Sequence, residues 1–366
     1  MNWKQTLFWS FSAAAIFYYF LLFGVFVFVG QEEMQLFIPE WWYIREFLFQ
    51  PGGFCAVAGQ WIIQYYRQPM SAVVLHTVLL VGCGFMVYRI LRCFSDKTYL
   101  LFLSLLPVLY LVKMSIHGEY LVDGTVGVVL MLLALSVSLK VRRAGSIAGY
   151  GIASTLFLCG LTGLLSVCYA FLYTLLALLR YKTSRQRLAA SACLIPALFI
   201  YLFSGWLGIP VPLSDGWMPE AYLEIQRLPH YYMYRVWTFF TLSIVGVALF
   251  ARFVPVIGEK SKWMDRVALV VCLITVLVSI RFCLPEPWHA QRMMLDELSF
   301  LARERQWDAI IDKYRGKQIY NYVSLNYLNM SLAHKGELAD RMFTFDQKER
   351  KAYVPIGIRP FTWIVY

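Results

Sequence analysis

The stretch TLFWSFSAAAIFYYFLLFGVFVFVGQEEMQLF, Thr6 to Phe37, carries no charge from Leu7 to Gln31 and then places two carboxylates, Glu32 and Glu33, side by side. An unbroken apolar run of this length fills a bilayer of ~30 Å as one helix. It is too long for the apolar core of a signal peptide, and no small-x-small cleavage site follows it, so it reads as a retained anchor. The acidic pair then stands where the chain leaves the membrane. It either caps the next element or forms a site.

The rest of the 366 residues repeats the apolar pattern. The chain is 60% hydrophobic, 17% aromatic and only 15% charged, which excludes an ordinary soluble domain. Nine apolar runs read as spans: Leu7–Val29, Met70–Leu91, Tyr99–Val112, Leu121–Leu139, Ile147–Thr162, Leu164–Leu179, Leu188–Leu207, Val236–Val254 and Val267–Leu284. The third, fifth and sixth are short for a bilayer.

The net charge of +11 is not evenly spread. Alternate connections hold 15 cations, among them Lys4, Arg92, Arg143, Arg180 and Arg187, against only Asp96, Glu259 and Asp265. The other connections hold six cations against nine acids. By the positive-inside rule the N-terminus is cytoplasmic and the segment after the ninth span lies outside. The basic excess is therefore a topology signal, and no nucleic-acid partner is expected. In a bacterium this places the chain in the inner membrane with a periplasmic tail.

The loop from residue 30 to residue 69 is too long for a turn. It runs through "PEWWYIREFLF" (Pro39–Phe49), the break "QPGGF" (Gln50–Phe54) and "CAVAGQWIIQYYRQP" (Cys55–Pro69). Pro39 suits a first helical turn and Pro51-Gly52-Gly53 ends a helix. The load of Trp and Tyr fits two helices lying at headgroup depth. The next outer loop, "KMSIHGEYLVDG", brings His117, Glu119 and Asp123 together before the fourth span, and the loop Gly208–Arg235 carries Arg227, His230 and Arg235. No C-x-x-C pair exists among the eight cysteines; free buried thiols are expected, with Cys55 and Cys283 the one outer pair that a bridge would suit.

From residue 285 to 366 the composition becomes that of a small helical soluble domain. "LDELSFLARERQWDAII" (from Leu295) and "LNYLNMSLAHKGELADRMF" (from Leu325) form a weak repeat, with Leu301-Ala302 matching Leu332-Ala333 at a spacing of 31. The pattern resembles a tetratricopeptide helix pair. Fewer than two such repeats cannot bury a core alone, so the tail reads as incomplete or as docked on its own membrane part. The expected architecture is all-α: a polytopic bundle over 1–284 and a helical-repeat-like tail over 285–366.

This layout resembles the GT-C superfold of glycosyltransferases that use polyprenyl-phosphate sugars. The acidic pair early in the first outer loop, the acid before the fourth span in "YLVDGTVGVVLMLLALSVSLK", and the hairpin "GYGIASTLFLCGLTGLLSVCYAFLYTLLALLRYK" carry the likeness. It departs from that group in having Glu-Glu where Asp is common and in lacking a basic residue after the hairpin's turn. The resemblance implies Glu32 or Glu33 as general base or divalent-metal ligand, and Asp123 as a further catalytic acid. It implies His117, Glu119, Arg227, His230 and Arg235 around the substrate, the basic ones on its phosphate. Across its whole length the chain also resembles an uncharacterised bacterial family of polytopic proteins with a tetratricopeptide-like outer tail. The "QPGGF" break and "LARERQWDAII…NYLNMSLAHKGELADRMF" carry that match.

Two further classes compete. A non-catalytic assembly protein would use the tail to bind a periplasmic partner. A transporter is disfavoured by few ionisable groups deep in the spans (His76 is the exception) and by no repeat between the halves. Glu32→Gln separates the first two classes. In a transferase it abolishes sugar transfer at unchanged expression, and in a scaffold the sequence predicts that it is silent.

Overall fold

Gly24 divides the first apolar run. In the structure, a computed structural model that describes residues 3–33, 35, 37–117, 120–203, 233–258, 262–285, 287–319 and 321–347, the run forms α1 (Trp3–Phe23) and α2 (Val25–Glu33). A Cβ on Gly24 would lie 3.0 Å from the Phe28 ring and 3.2 Å from Phe20. Glycine thus lets these rings close on each other at 5.3 Å. At 1.5 Å per residue the two helices together reach about 45 Å, longer than a ~30 Å hydrocarbon layer.

The long loop then forms α3 (Trp41–Leu48), α4 (Gly53–Ile63) and a 3-10 turn (Gln64–Arg67). The break between them needs both glycines: Gly52 has φ 85°, and a Cβ on Gly53 would lie 1.7 Å from the carbonyl oxygen of Phe47. Trp41, Trp42, Trp61 and Tyr65 stay exposed, as interfacial helices require.

Next come α5 (Pro69–Leu91), α6 (Leu100–Leu103), α7 (Leu106–Ser115), α8 (Val122–Ser138), α9 (Ala144–Thr162) and α10 (Leu165–Arg180). They are followed by α11 (Ser184–Ser191), α12 (Leu194–Leu202), α13 (Met233–Gly258) and α14 (Lys262–Cys283). Among the described residues all regular structure is helical.

Among the described residues three helices, α1, α5 and α9, are long and apolar enough to cross a membrane, fewer than the nine expected spans. Five apolar segments are shorter: Leu100–Ser115, Val122–Ser138, Leu165–Arg180, Phe239–Phe253 and Leu269–Cys283. The expected third and seventh spans are each split. Pro107 and Pro196 sit three residues past each break, at Ser104 and Cys193, where a proline removes a donor and crowds the preceding turn.

The bundle has two chemically distinct ends. At one, Gln5 meets the Tyr88 hydroxyl, Arg180 donates to the Cys93 carbonyl, Tyr181 donates to Val141 at 2.7 Å and Gln186 to Arg142 at 2.6 Å. The basic connections therefore gather together. At the other, Gln31 donates to the carbonyl of Tyr120 at 2.9 Å, the Gly52 N–H donates to Gly160, and Gly59 packs on Asp123. All eight cysteines are free thiols, as expected.

After the bundle, α15 (Pro287–Arg303), α16 (Trp307–Tyr314), α17 (Tyr322–His334) and α18 (Leu338–Arg341) enclose a separate small core of Leu298, Ile310, Ile311, Leu325, Leu328 and Leu332.

The closest helix approach gives a stability test. A Cβ on Gly59 would lie 2.7 Å from Asp123 Cβ and 3.0 Å from its Cα and N, backbone that cannot swing aside. Gly59→Ala is expected to lower stability by about 1–3 kcal/mol. Gly82, with nothing within 4 Å, is the neutral control as Gly82→Ala. Thermal unfolding of both variants in detergent measures the difference.

Candidate functional site

Read as a helix, α15 has two faces. Leu295, Leu298, Leu301 and Ala302 face the core of the tail. His289, Arg292, Asp296, Ser299 and Arg303 recur three or four residues apart and make a polar stripe. That stripe lies along α2.

The contacts converge on the acidic pair. The Arg303 Nη1 donates to Glu32 Oε2 at 3.0 Å and to Glu33 Oε1 at 3.4 Å. The Ser299 hydroxyl donates to both oxygens of Glu33, at 3.0 and 3.2 Å. Gly30 leaves room for Asp296, whose Oδ1 would lie 3.0 Å from a Cβ there. Phe26 packs on Phe300 at 5.9 Å, and the Arg303 guanidinium lies over the same Phe300 ring. At the other end of the stripe His289 Nε2 donates to the Phe23 carbonyl at 2.8 Å, beside the Gly24 junction.

Burial sets the electrostatics. The side chains of Arg303, Glu32 and Glu33 are each about a third exposed or less, so water screens their pairing only in part. Asp296 is more enclosed. Burial pushes its carboxyl up to about 7, opposed by Arg292 and helped by Glu33. Burial likewise holds His289 below its usual value, which leaves a neutral ring that donates to Phe23.

The other expected site residues fall as follows. Asp123 is buried; its Oδ1 accepts the N–H of Gly124 at 2.7 Å, and it packs against Gly59 of α4. His117 lies in the turn after α7, its N–H on Met114 and its carbonyl accepting from Gln31 at 3.4 Å. Glu119, Arg227 and His230 lie outside the described residues. Arg235 falls in the first turn of α13, and its side chain lies outside the described set. Gln31 therefore brings the first loop and the 117–123 segment side by side. The carboxylates nevertheless engage different partners: Glu32 and Glu33 turn to α15, and Asp123 turns to its own helix start and α4.

The arrangement does not fit a divalent metal centre. Arg303 already supplies the positive charge between Glu32 and Glu33. Among the described residues no three His, Cys, Asp or Glu side chains converge. His76 is buried inside the bundle: the Tyr66 hydroxyl lies 2.7 Å from its Nε2, and Phe28 stacks on the ring at 4.1 Å.

Sequence reasoning missed Arg303, Ser299, Asp296 and His289. The signal was the polar stripe of α15. Its partner lies more than 250 residues away in the chain, so nothing local marks it as an interface.

Residues 1–365 match the family of unknown function DUF6057, and the chain belongs to that family. No curated protein and no solved structure matches it.

The raised Asp296 carboxyl gives a pH dependence with a definite sign. An unfolded or undocked Asp titrates near ~3.9, so the docked state binds the proton more tightly. Docking is therefore weakest above about 7 and strengthens as pH falls through that value towards ~4. Protease protection of the tail, measured in detergent as pH is lowered from about 8.5 to about 7, above the range where the depressed His289 opposes docking, is expected to rise, and Asp296→Asn is expected to flatten the profile at the protected level over that range.

Proposed function

We propose that this protein is a non-catalytic membrane scaffold: a helical bundle that holds a small helical tail at the outer face of a bacterial inner membrane, where the tail binds a partner polypeptide. The observation that carries this reading is the occupation of Glu32 and Glu33. The best candidates for catalytic carboxylates are joined to Arg303 and Ser299 of the chain's own tail. A general base must reach its substrate's proton, and a carboxylate paired with an internal guanidinium is held in a fixed place. Such a pair is a good anchor.

The orientation rests on the charge sorting. The N-terminus and basic loops are assigned to the cytoplasm, and the acidic end with the tail to the periplasm. The helix pairs of the tail, with Leu301-Ala302 and Leu332-Ala333 in matching places, support a tetratricopeptide-like reading in which α2 packs beside α15 as a neighbouring helix.

A second reading retains one supporting observation. Gln31 bonds to the Tyr120 and His117 carbonyls, which puts the acidic pair and the Asp123 segment at the same end of the bundle. That is the layout of a GT-C transferase acting on a polyprenyl-phosphate sugar. In it Arg303 would have to release the carboxylates before catalysis.

A charge exchange separates the two. Glu32→Arg with Arg303→Glu rebuilds an ion pair of opposite sense. For a latch, Arg303→Glu alone exposes the tail to protease and abolishes the cellular phenotype of the intact chain, and the exchange restores both. For a transferase, the exchange leaves the base missing and restores neither. Rescue by exchange corrects the simpler sequence expectation that a scaffold is indifferent to Glu32.

A further inference from the structure

At the basic end of the bundle, connections of like charge are held against one another. The segment between α8 and α9 carries Lys140, Arg142 and Arg143, and the segment leading from α10 into α11 carries Lys182, Arg185 and Arg187. The Tyr181 hydroxyl donates to the Val141 carbonyl at 2.7 Å and the Gln186 amide to the Arg142 carbonyl at 2.6 Å, so the two segments lie side by side. Arg180 ties in a third connection through the Cys93 carbonyl. No Asp or Glu occurs from residue 124 to residue 214, and Asp96 of the third connection is taken by Arg92.

All six of these cations are exposed. Arg187 donates to the Tyr181 carbonyl at 2.9 Å. The side chains of Lys140, Arg142, Arg143, Lys182 and Arg185 have no hydrogen-bond or ion-pair partner among the described residues. Gathered cations repel one another, yet hydrogen bonds of the fold hold these segments together. Charge sorting across a membrane requires cations in each connection; it does not require the connections to converge. A cluster of several Lys and Arg at the end of membrane helices, with no acid among them, suits the phosphate of an anionic lipid.

An apolar track starts at the same place. Leu188 follows Arg187 directly in α11 and is 75% exposed. Ile195, Phe199 and Leu202 then recur along one face of α12, and all three are exposed. A free phosphate ion would use the cations and leave the track bare. A phospholipid uses both.

We infer that the basic end is a headgroup site for an anionic phospholipid of the bilayer, with the phosphate between the 140–143 and 182–187 segments and the acyl chains along α12. The lipid supplies the counter-charge that these segments lack. The inference is independent of the scaffold and transferase readings, which concern the opposite end of the bundle.

Native mass spectrometry of the full chain in detergent, titrated with phosphatidylglycerol or phosphatidylcholine, tests it. Phosphatidylglycerol is expected to form a saturable adduct that phosphatidylcholine does not form and that inorganic phosphate does not displace. Arg142→Gln with Arg143→Gln weakens it about tenfold, and Lys182→Gln with Arg185→Gln does the same from the other segment. Arg142→Lys with Arg143→Lys keeps the charge and retains the adduct, which separates lost binding from a lost fold. Arg45→Gln with Arg67→Gln removes two exposed cations from the opposite end and leaves the adduct unchanged. The inference is overturned if the two lipids bind alike, if either Gln pair in the cluster has no effect, if the Arg45 and Arg67 pair weakens binding as much, or if phosphate displaces the lipid.

Discussion

One guanidinium shared by two carboxylates organises the end of the bundle where the tail docks. Glu32 and Glu33 are adjacent, so they repel each other unless a cation lies between them. Arg303 is that cation, from a helix more than 250 residues further along the chain, and Ser299 adds a second hold on Glu33. The pairing fixes α15 lengthwise on α2. Gly30 then has to be bare for Asp296, Phe26 meets Phe300, and His289 reaches the Phe23 carbonyl. A salt bridge this exposed contributes little stability by itself. Its effect is positional: it selects one docking register from the several that an apolar contact alone would permit.

That register explains why a tail with so small a core can keep its shape. Among the described residues the core comprises eight buried apolar residues, few for a domain standing alone. Docking on α2 covers the polar stripe of α15. The opposite wall of the same helix lines a cleft with α16 and α17.

Much of the architecture was legible. The apolar runs located the helices of the bundle, and the charge asymmetry matches the two ends that the hydrogen bonds assemble. The "QPGGF" break fell where a positive φ and a backbone near-contact demand glycine. The number of spans was less legible, because Pro107 and Pro196 interrupt runs that look continuous by hydropathy alone. The partner of the acidic pair was hidden for a different reason. A carboxylate pair at a membrane edge has the same sequence signature whether it meets a substrate, a metal or an arginine. Only the partner distinguishes them, and Arg303 is remote in sequence. The stripe His289, Arg292, Asp296, Ser299, Arg303 was visible as a period, yet a polar helical face is ordinarily a solvated one.

The most direct measurement of the account is a crosslink in native membranes. A Cβ at Gly30 lies 3.2 Å from the Asp296 carboxyl carbon, near enough for a disulfide between cysteines placed at the two positions. The account predicts that Gly30→Cys with Asp296→Cys bridges under mild oxidation, seen as one linked peptide by mass spectrometry and absent from either single variant. A well-expressed double variant that stays unbridged would contradict it, because the tail would not rest on the first span.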